Sequence, residues 1–223
     1  MSEIAARVRD YLARTRQAFP PGSDLYYARL ALAAAGNAYR TGSFGIGAVA
    51  VVRSGTTAEV FYGENGMGRP NAVIDHAETR AVLKIAAGAA PDETIELAGP
   101  ARSVDVDVAV HGTIEPCPMC ACVMTNAGVQ RSVSTCADGA LERDGAVLAS
   151  DGAANVLGGK YATQPRVWRD LQRTQGLRFE LLTPVDPELR ALSWAIMADT
   201  RAEIDRALAE RSPLGLPGHR PGR

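Results

Sequence analysis

Two short stretches of the chain could do chemistry together: Asp75-His76-Ala77-Glu78 and Glu115-Pro116-Cys117-Pro118-Met119-Cys120. His76, Cys117 and Cys120 offer one imidazole and two thiols, a set suited to Zn²⁺. Three protein ligands leave the fourth tetrahedral position open to water, as in a catalytic zinc site and unlike a closed structural one. Zinc in such a site acidifies its water toward a pKa near 7. Glu78, two residues past the histidine, is the group placed to move that water's protons. The hydroxide could attack the amidine-like carbon that carries an exocyclic amine on a purine or pyrimidine. Glu78 would then protonate the ring nitrogen and the departing ammonia, and a dry pocket would raise its proton affinity toward the operating pH.

Each half of this set has a plainer reading. Asp75-x-x-Glu78 also fits a helix capping box. His76 alone could be a core or surface histidine. Pro-Cys-x-x-Cys alone could be half of a closed zinc site, but no second Cys-x-x-Cys completes one. The joint pattern, each half at an expected helix start, favours the catalytic reading. Cys117 and Cys120 are three apart and share a helix face. A helix N-terminus stabilises thiolates, and Pro118 sits where its missing N–H costs nothing. Cys122 faces away from that pair, and it and Cys136 are expected to be small core hydrophobes.

Composition narrows the remaining options. The chain has 223 residues, 46% hydrophobic and 22% charged, enough for one α/β domain with an appendage. Its net charge of −1 and pI near 6.3 lack the basic footprint of a nucleic-acid binder. No apolar run reaches the roughly 18 residues of a membrane span. No apolar signal region follows the first residues, and four crowded cysteines read as a metal site, so a reducing cytoplasm is the expected compartment.

The elements that must position these residues follow from periodicity. Residues 3–19 read as a helix with Ile4, Val8, Tyr11 and Leu12 on one face, ended by Pro20-Pro21-Gly22. Ser23 or Asp24 can cap a second helix running to about Arg40. Residues 46–52 form a nearly continuous apolar run, expected to be a strand buried on both faces. Residues 58–62 make a shorter strand, and the Gly-, Asn- and Pro-rich stretch 63–75 makes a loop feeding the first metal motif. A helix is expected over 76–88. Val104, Val106, Val108 and Val110 alternate with polar residues in a strand that ends near Gly112. Helix 117–127 and strand 129–135 follow, and this order implies parallel pairing with helices on the sheet faces. Further on, 165–175 reads as helix, 179–182 as strand and 188–211 as a long helix. The expected organisation is an N-terminal helix over 1–24, a zinc domain over 25–137, an extension over 138–211 serving as lid or dimer arm, and a disordered tail over 212–223.

With these residues in view, the chain resembles the cytidine deaminase superfamily. His-x-Glu followed by Pro-Cys-x-x-Cys is the signature of its zinc deaminases. The stretch 113–121, Thr-Ile-Glu-Pro-Cys-Pro-Met-Cys-Ala, is similar to the branch of guanine, cytosine and tRNA-adenosine deaminases. Phe44-Gly45-Ile46-Gly47-Ala48-Val49 resembles the family's first core strand. The resemblance covers residues 25–137 and implies a three-layer α/β/α fold. In it, a central five-stranded sheet carries zinc between two helix N-termini; the helical C-terminal extension after 138 departs from it, exceeding what a minimal member needs. It implies the roles given above for His76, Glu78, Cys117 and Cys120. It also implies that Asn65, eleven residues before His76, hydrogen-bonds the base or its sugar, and that the Ala77 amide touches substrate. Asn65 has a competing reading as a turn residue ahead of Gly66. The segment 66–75 lacks the Asp/Asn-Pro-Thr common before the motif histidine, which leaves the base unnamed. The resulting expectation is a hydrolytic deaminase of a small nucleobase, nucleoside or related heterocycle, acting as a homodimer. A nucleic-acid-editing deaminase and a non-catalytic zinc-stabilised binding protein are the alternatives.

Overall fold

The computed structural model describes residues 2–67, 74–97, 107–136, 142–143, 146–147 and 174–210. Helix α1 spans Glu3–Arg14 and starts where the Ser2 hydroxyl accepts from the Ala5 amide. Helix α2 spans Asp24–Arg40, capped by Ser23 through the Tyr26 amide. Ser23 is therefore the cap. Asp24, the first helical residue, instead accepts two hydrogen bonds from the Arg131 guanidinium.

Strands β1 (Gly47–Ser54) and β2 (Thr57–Glu64) form an antiparallel hairpin. Helix α3 (Ala77–Ala86) follows, then β3 (Glu93–Glu96), β4 (Asp107–Ile114), α4 (Pro118–Asn126) and β5 (Arg131–Cys136). Two-residue strands β6 (Glu142–Arg143) and β7 (Ala146–Val147) pair with each other. Strand β8 (Arg178–Leu181) and helix α5 (Pro187–Glu210) close the described chain.

The main sheet has six strands in the order β3-β2-β1-β4-β5-β8, one more than the resemblance implies. The addition is β3, a four-residue edge strand on β2 in which Ile95 alone is buried. The expected parallel pairing is found for β4 with β5, across α4, and for β5 with β8. It does not extend to the rest: β1 is antiparallel to both of its neighbours. A two-residue turn joins β1 to β2, and a hairpin can only be antiparallel. The expected end of β4 at Gly112 is also passed. Gly112 pairs with Ala48, and the Thr113 hydroxyl meets Gly47, so the strand runs on to Ile114.

Alternation along β1 builds the three layers. Ala48 and Ala50 face α3 and α4 with Phe61, Ala77, Ala81, Val110 and Met124. Val49 and Val51 face α2 with Tyr27 and Val60. Helices α1, α2 and α5 share a second cluster on that side around Leu32, Leu189, Leu192 and Ile196. Cys136 is buried with Ile114 and Met197, as expected of a core cysteine, whereas Cys122 is only partly buried. Residues 165–173 of the expected helix 165–175, strand residues 104–106, the loop core 68–73 and the tail 212–223 lie outside the described residues. No helix among those described is long and apolar enough to cross a membrane.

Candidate metal centre

His76 and Cys117 are each the N-cap of a helix, of α3 and α4 respectively. Both have extended backbone dihedrals, which turn the chain from loop into helix and aim the two side chains into the gap between the helix ends. Neither cap uses its side chain for a cap hydrogen bond, so both stay available as ligands. Pro118 occupies the first turn of α4, as its missing N–H allows. Cys120 comes one turn later, fully buried.

Cys117 Sγ lies 3.6 Å from His76 Nδ1 and 3.5 Å from Cys120 Sγ. One atom from each of the three residues falls within 4.8 Å of the others. A tetrahedral zinc with ordinary Zn–S and Zn–N bonds spans ligand pairs about 3.5 to 3.8 Å apart, so the donor set fits the ion. His76, Cys117 and Cys120 are positioned to bind a metal ion.

Glu78 is the second residue of α3 and is 4% exposed. Its Oε2 is 3.5 Å from Cys120 Sγ. The capping-box reading of Asp75 and Glu78 fails on position. His76 takes the cap, and its amide donates to the Ile74 carbonyl, so no cap N–H waits for the glutamate. Instead Glu78 faces the thiols.

Burial pushes the Glu78 carboxyl above the usual carboxylate range, and the Cys117 thiolate pushes it further. Hydrogen bonding from Cys120 brings Cys117 down to about 4, with His76 helping. The Cys120 thiol is raised, first by its hydrogen bond with Cys117 and then by burial. Burial opposes the charged form of His76, but the hydrogen bond and charge of Cys117 outweigh it and raise its pKa. Thr79, absent from the sequence reading, places its hydroxyl 3.6 Å from Cys120 Sγ.

Asn65 and Ala77 are both buried beside this centre. A Cβ on Gly63 would collide with the Ala77 carbonyl, so β2 touches the first turn of α3 there. Asn65 follows directly after the end of β2, with its amide donating to the Ile46 carbonyl. Gly66 N donates to the Asp75 carbonyl at 2.7 Å, and Arg80 Nη1 to the Glu64 carbonyl at 2.9 Å. Asn65 Oδ1 accepts from Ser43 Oγ and from the Met67 amide. Ser43 stands 22 positions away in the chain, and no spacing in the sequence points to it.

The sequence pattern of the cytidine and deoxycytidylate deaminase zinc-binding region matches residues 21–136, just over half of the chain. Among curated proteins, none matches the sequence significantly. Among solved structures, NE0047 in complex with 2,6-diaminopurine superposes with a TM-score of 0.52 at 15% identity, covering 86% of this chain and 89% of that one. A guanine deaminase from Nitrosomonas europaea gives 0.51 at 14% identity, over 86% and 92%. At these identities the likeness is one of fold. A tRNA:A34 deaminase structure shares 26% identity over 51% of this chain and 77% of its own, with a TM-score of 0.39.

Proposed function

The chain belongs to the cytidine and deoxycytidylate deaminase zinc-binding family, and on that premise we propose that it hydrolytically deaminates a small nucleobase, nucleoside or related aminated heterocycle. A C–O bond forms at the amine-bearing carbon, the C–N bond breaks and ammonia leaves. The observation that carries this reading is the buried Glu78 carboxyl, 3.5 Å from a sulfur of a three-ligand set. A purely structural zinc site has no use for a carboxyl there.

Bound zinc supplies an acidified water as the nucleophile. Glu78 would carry the first of that water's two protons to the ring nitrogen next to the attacked carbon, and the second, from the newly formed C–OH, to the departing amine, which leaves as ammonia. Its burial keeps bulk water from competing for the proton. Asn65 and the Ala77 amide are the proposed substrate contacts. The Ala77 N–H belongs to the first turn of α3, where amides have no partner within the helix. The overall charge of −1 favours a small substrate over a polyanion. The assembly in this reading is a homodimer, checked by light scattering.

Ammonia release from a panel of bases and nucleosides tests the reading, with zinc content measured alongside. Glu78→Gln should keep zinc and lose about 10²- to 10⁴-fold in rate. Zinc-loaded wild type that releases no ammonia from any panel member would overturn the reading, as would a Gln variant as fast as wild type. Binding of labelled RNA that weakens steeply with salt would move the reading to nucleic-acid editing.

A further inference from the structure

The sequence offers Asn65 two competing roles, turn residue and substrate contact. The hydrogen bonds around it separate them by atom. Oδ1 accepts from Ser43 Oγ at 2.9 Å and from Met67 N at 3.0 Å. A backbone amide can only donate, so the atom facing Met67 is the oxygen, and the carboxamide has one orientation. The bond to the amide two residues on is an Asx turn. The oxygen serves the turn, and among the described residues the NH₂ has no partner, which leaves it to serve a ligand. Asn65 is 2% exposed and comes directly after β2, two residues past Gly63, whose backbone abuts the first turn of α3.

Ser43 is itself held from several sides. It is 1% exposed, and its amide donates to the Ala38 carbonyl at the end of α2. Two residues on, Gly45 N donates to Thr200 Oγ1 of α5, and a Cβ on Gly45 would collide with the Ile196 carbonyl. The Ile46 carbonyl then accepts from Asn65 N. Helix α5, on the far side of the sheet from α3, thereby clamps the segment that presents the serine hydroxyl.

We infer that Ser43 is a positioning residue: together with the Met67 amide it locks the Asn65 carboxamide so that Asn65 meets the substrate only as a hydrogen-bond donor. The substrate must then present a lone-pair acceptor at that edge, a carbonyl oxygen or an unprotonated ring nitrogen, and not an N–H. The inference rests on the deaminase reading and narrows its substrate class.

A double-mutant cycle on the zinc-loaded full-length protein tests it, using the fastest substrate from the ammonia panel. Ser43→Ala should lower kcat/KM about tenfold in the native background and under about twofold in the Asn65→Ala background. Ser43→Thr, which keeps the hydroxyl, should restore most of the loss. Asn65→Asp keeps an oxygen for both donors but gives up the N–H. It should retain zinc and melting temperature and still lose activity. The assignment falls if Ser43→Ala costs the same in both backgrounds, if it costs nothing, or if Asn65→Asp equals wild type. Wild type with bound zinc and no turnover on any panel member sinks the deaminase reading instead, and this assignment with it.

Discussion

A zinc centre needs deprotonated sulfur, and the surroundings of Cys117 favour it. Hydrogen bonds with Cys120 and His76 pull the Cys117 pKa down, and the N-terminus of α4 adds a favourable field. Removing either sulfur leaves two ligands, too few for a tight site. Cys117→Ala or Cys120→Ala should therefore purify with little metal and melt at a lower temperature than zinc-loaded wild type, as metal analysis and thermal unfolding would report. Chelation of wild type should reproduce the drop, because metal binding energy is folding energy when the site exists only in the fold. These ligands, with Glu78, were legible in the sequence because each half of the set is local: Glu78 is two positions past His76, and the cysteines are three positions apart. Ser43 and Thr79 were not. Both act across 22 or more positions through contacts that only packing creates.

At the scale of elements, the site depends on how closely β2 lies under α3. Gly63 permits that approach. Gly63→Ala should destabilise the protein by about 1 to 3 kcal/mol, as overpacking does, and should weaken zinc binding by shifting His76 relative to α4. Thermal melting and competitive zinc titration would show both effects, and a variant with native zinc affinity would mean that the helix start is fixed by other contacts. Helix α5 is tied in by fully buried Leu189 and Leu192, packed against α1 and α2, and by the Arg14–Glu188 ion pair at 2.6 Å. Leu192→Ala should cost about 2 to 5 kcal/mol, measured by denaturant unfolding. Periodicity announced these helices and the strands β1, β2, β4 and β5. It could not announce β3, whose Glu-Thr-Ile-Glu buries one side chain. Nor could it give the direction of β1, because a continuous apolar run looks the same parallel or antiparallel.

Across the whole molecule, a charged network lies on the sheet face opposite the metal centre. Arg131 bridges Asp24 of α2 and Glu180 of β8, and His111 of β4 lies 3.8 Å from Asp24. Tyr27 stacks at a tilt on His111, and Arg53 stands over Tyr27. His111 is fully buried, and that burial is the main reason its pKa falls to about 3. Asp24 pulls the other way, while Arg131 and Arg53 lower it further. The folded protein thus keeps His111 neutral where the unfolded chain, with an ordinary value near 6.5, binds a proton. The resulting stability is complete above pH 6.5 and is lost as pH falls toward 3. Between pH 7 and pH 5 this one residue should cost about 2 kcal/mol. His111→Phe should flatten that part of the stability profile relative to wild type. Parallel profiles for the two proteins would refute the assignment.

By itself the sequence determined the donor set, the carboxyl beside it and the α/β class, because ligand spacing and side-chain alternation are properties of short segments. Tertiary structure alone decided the mixed strand directions, the neutral histidine under α2 and the serine that turns the asparagine amide. Each of these depends on which distant segments share a boundary from which water is excluded. Hydrogen bonds and charges take their value from that boundary, and no local pattern of residue types records it.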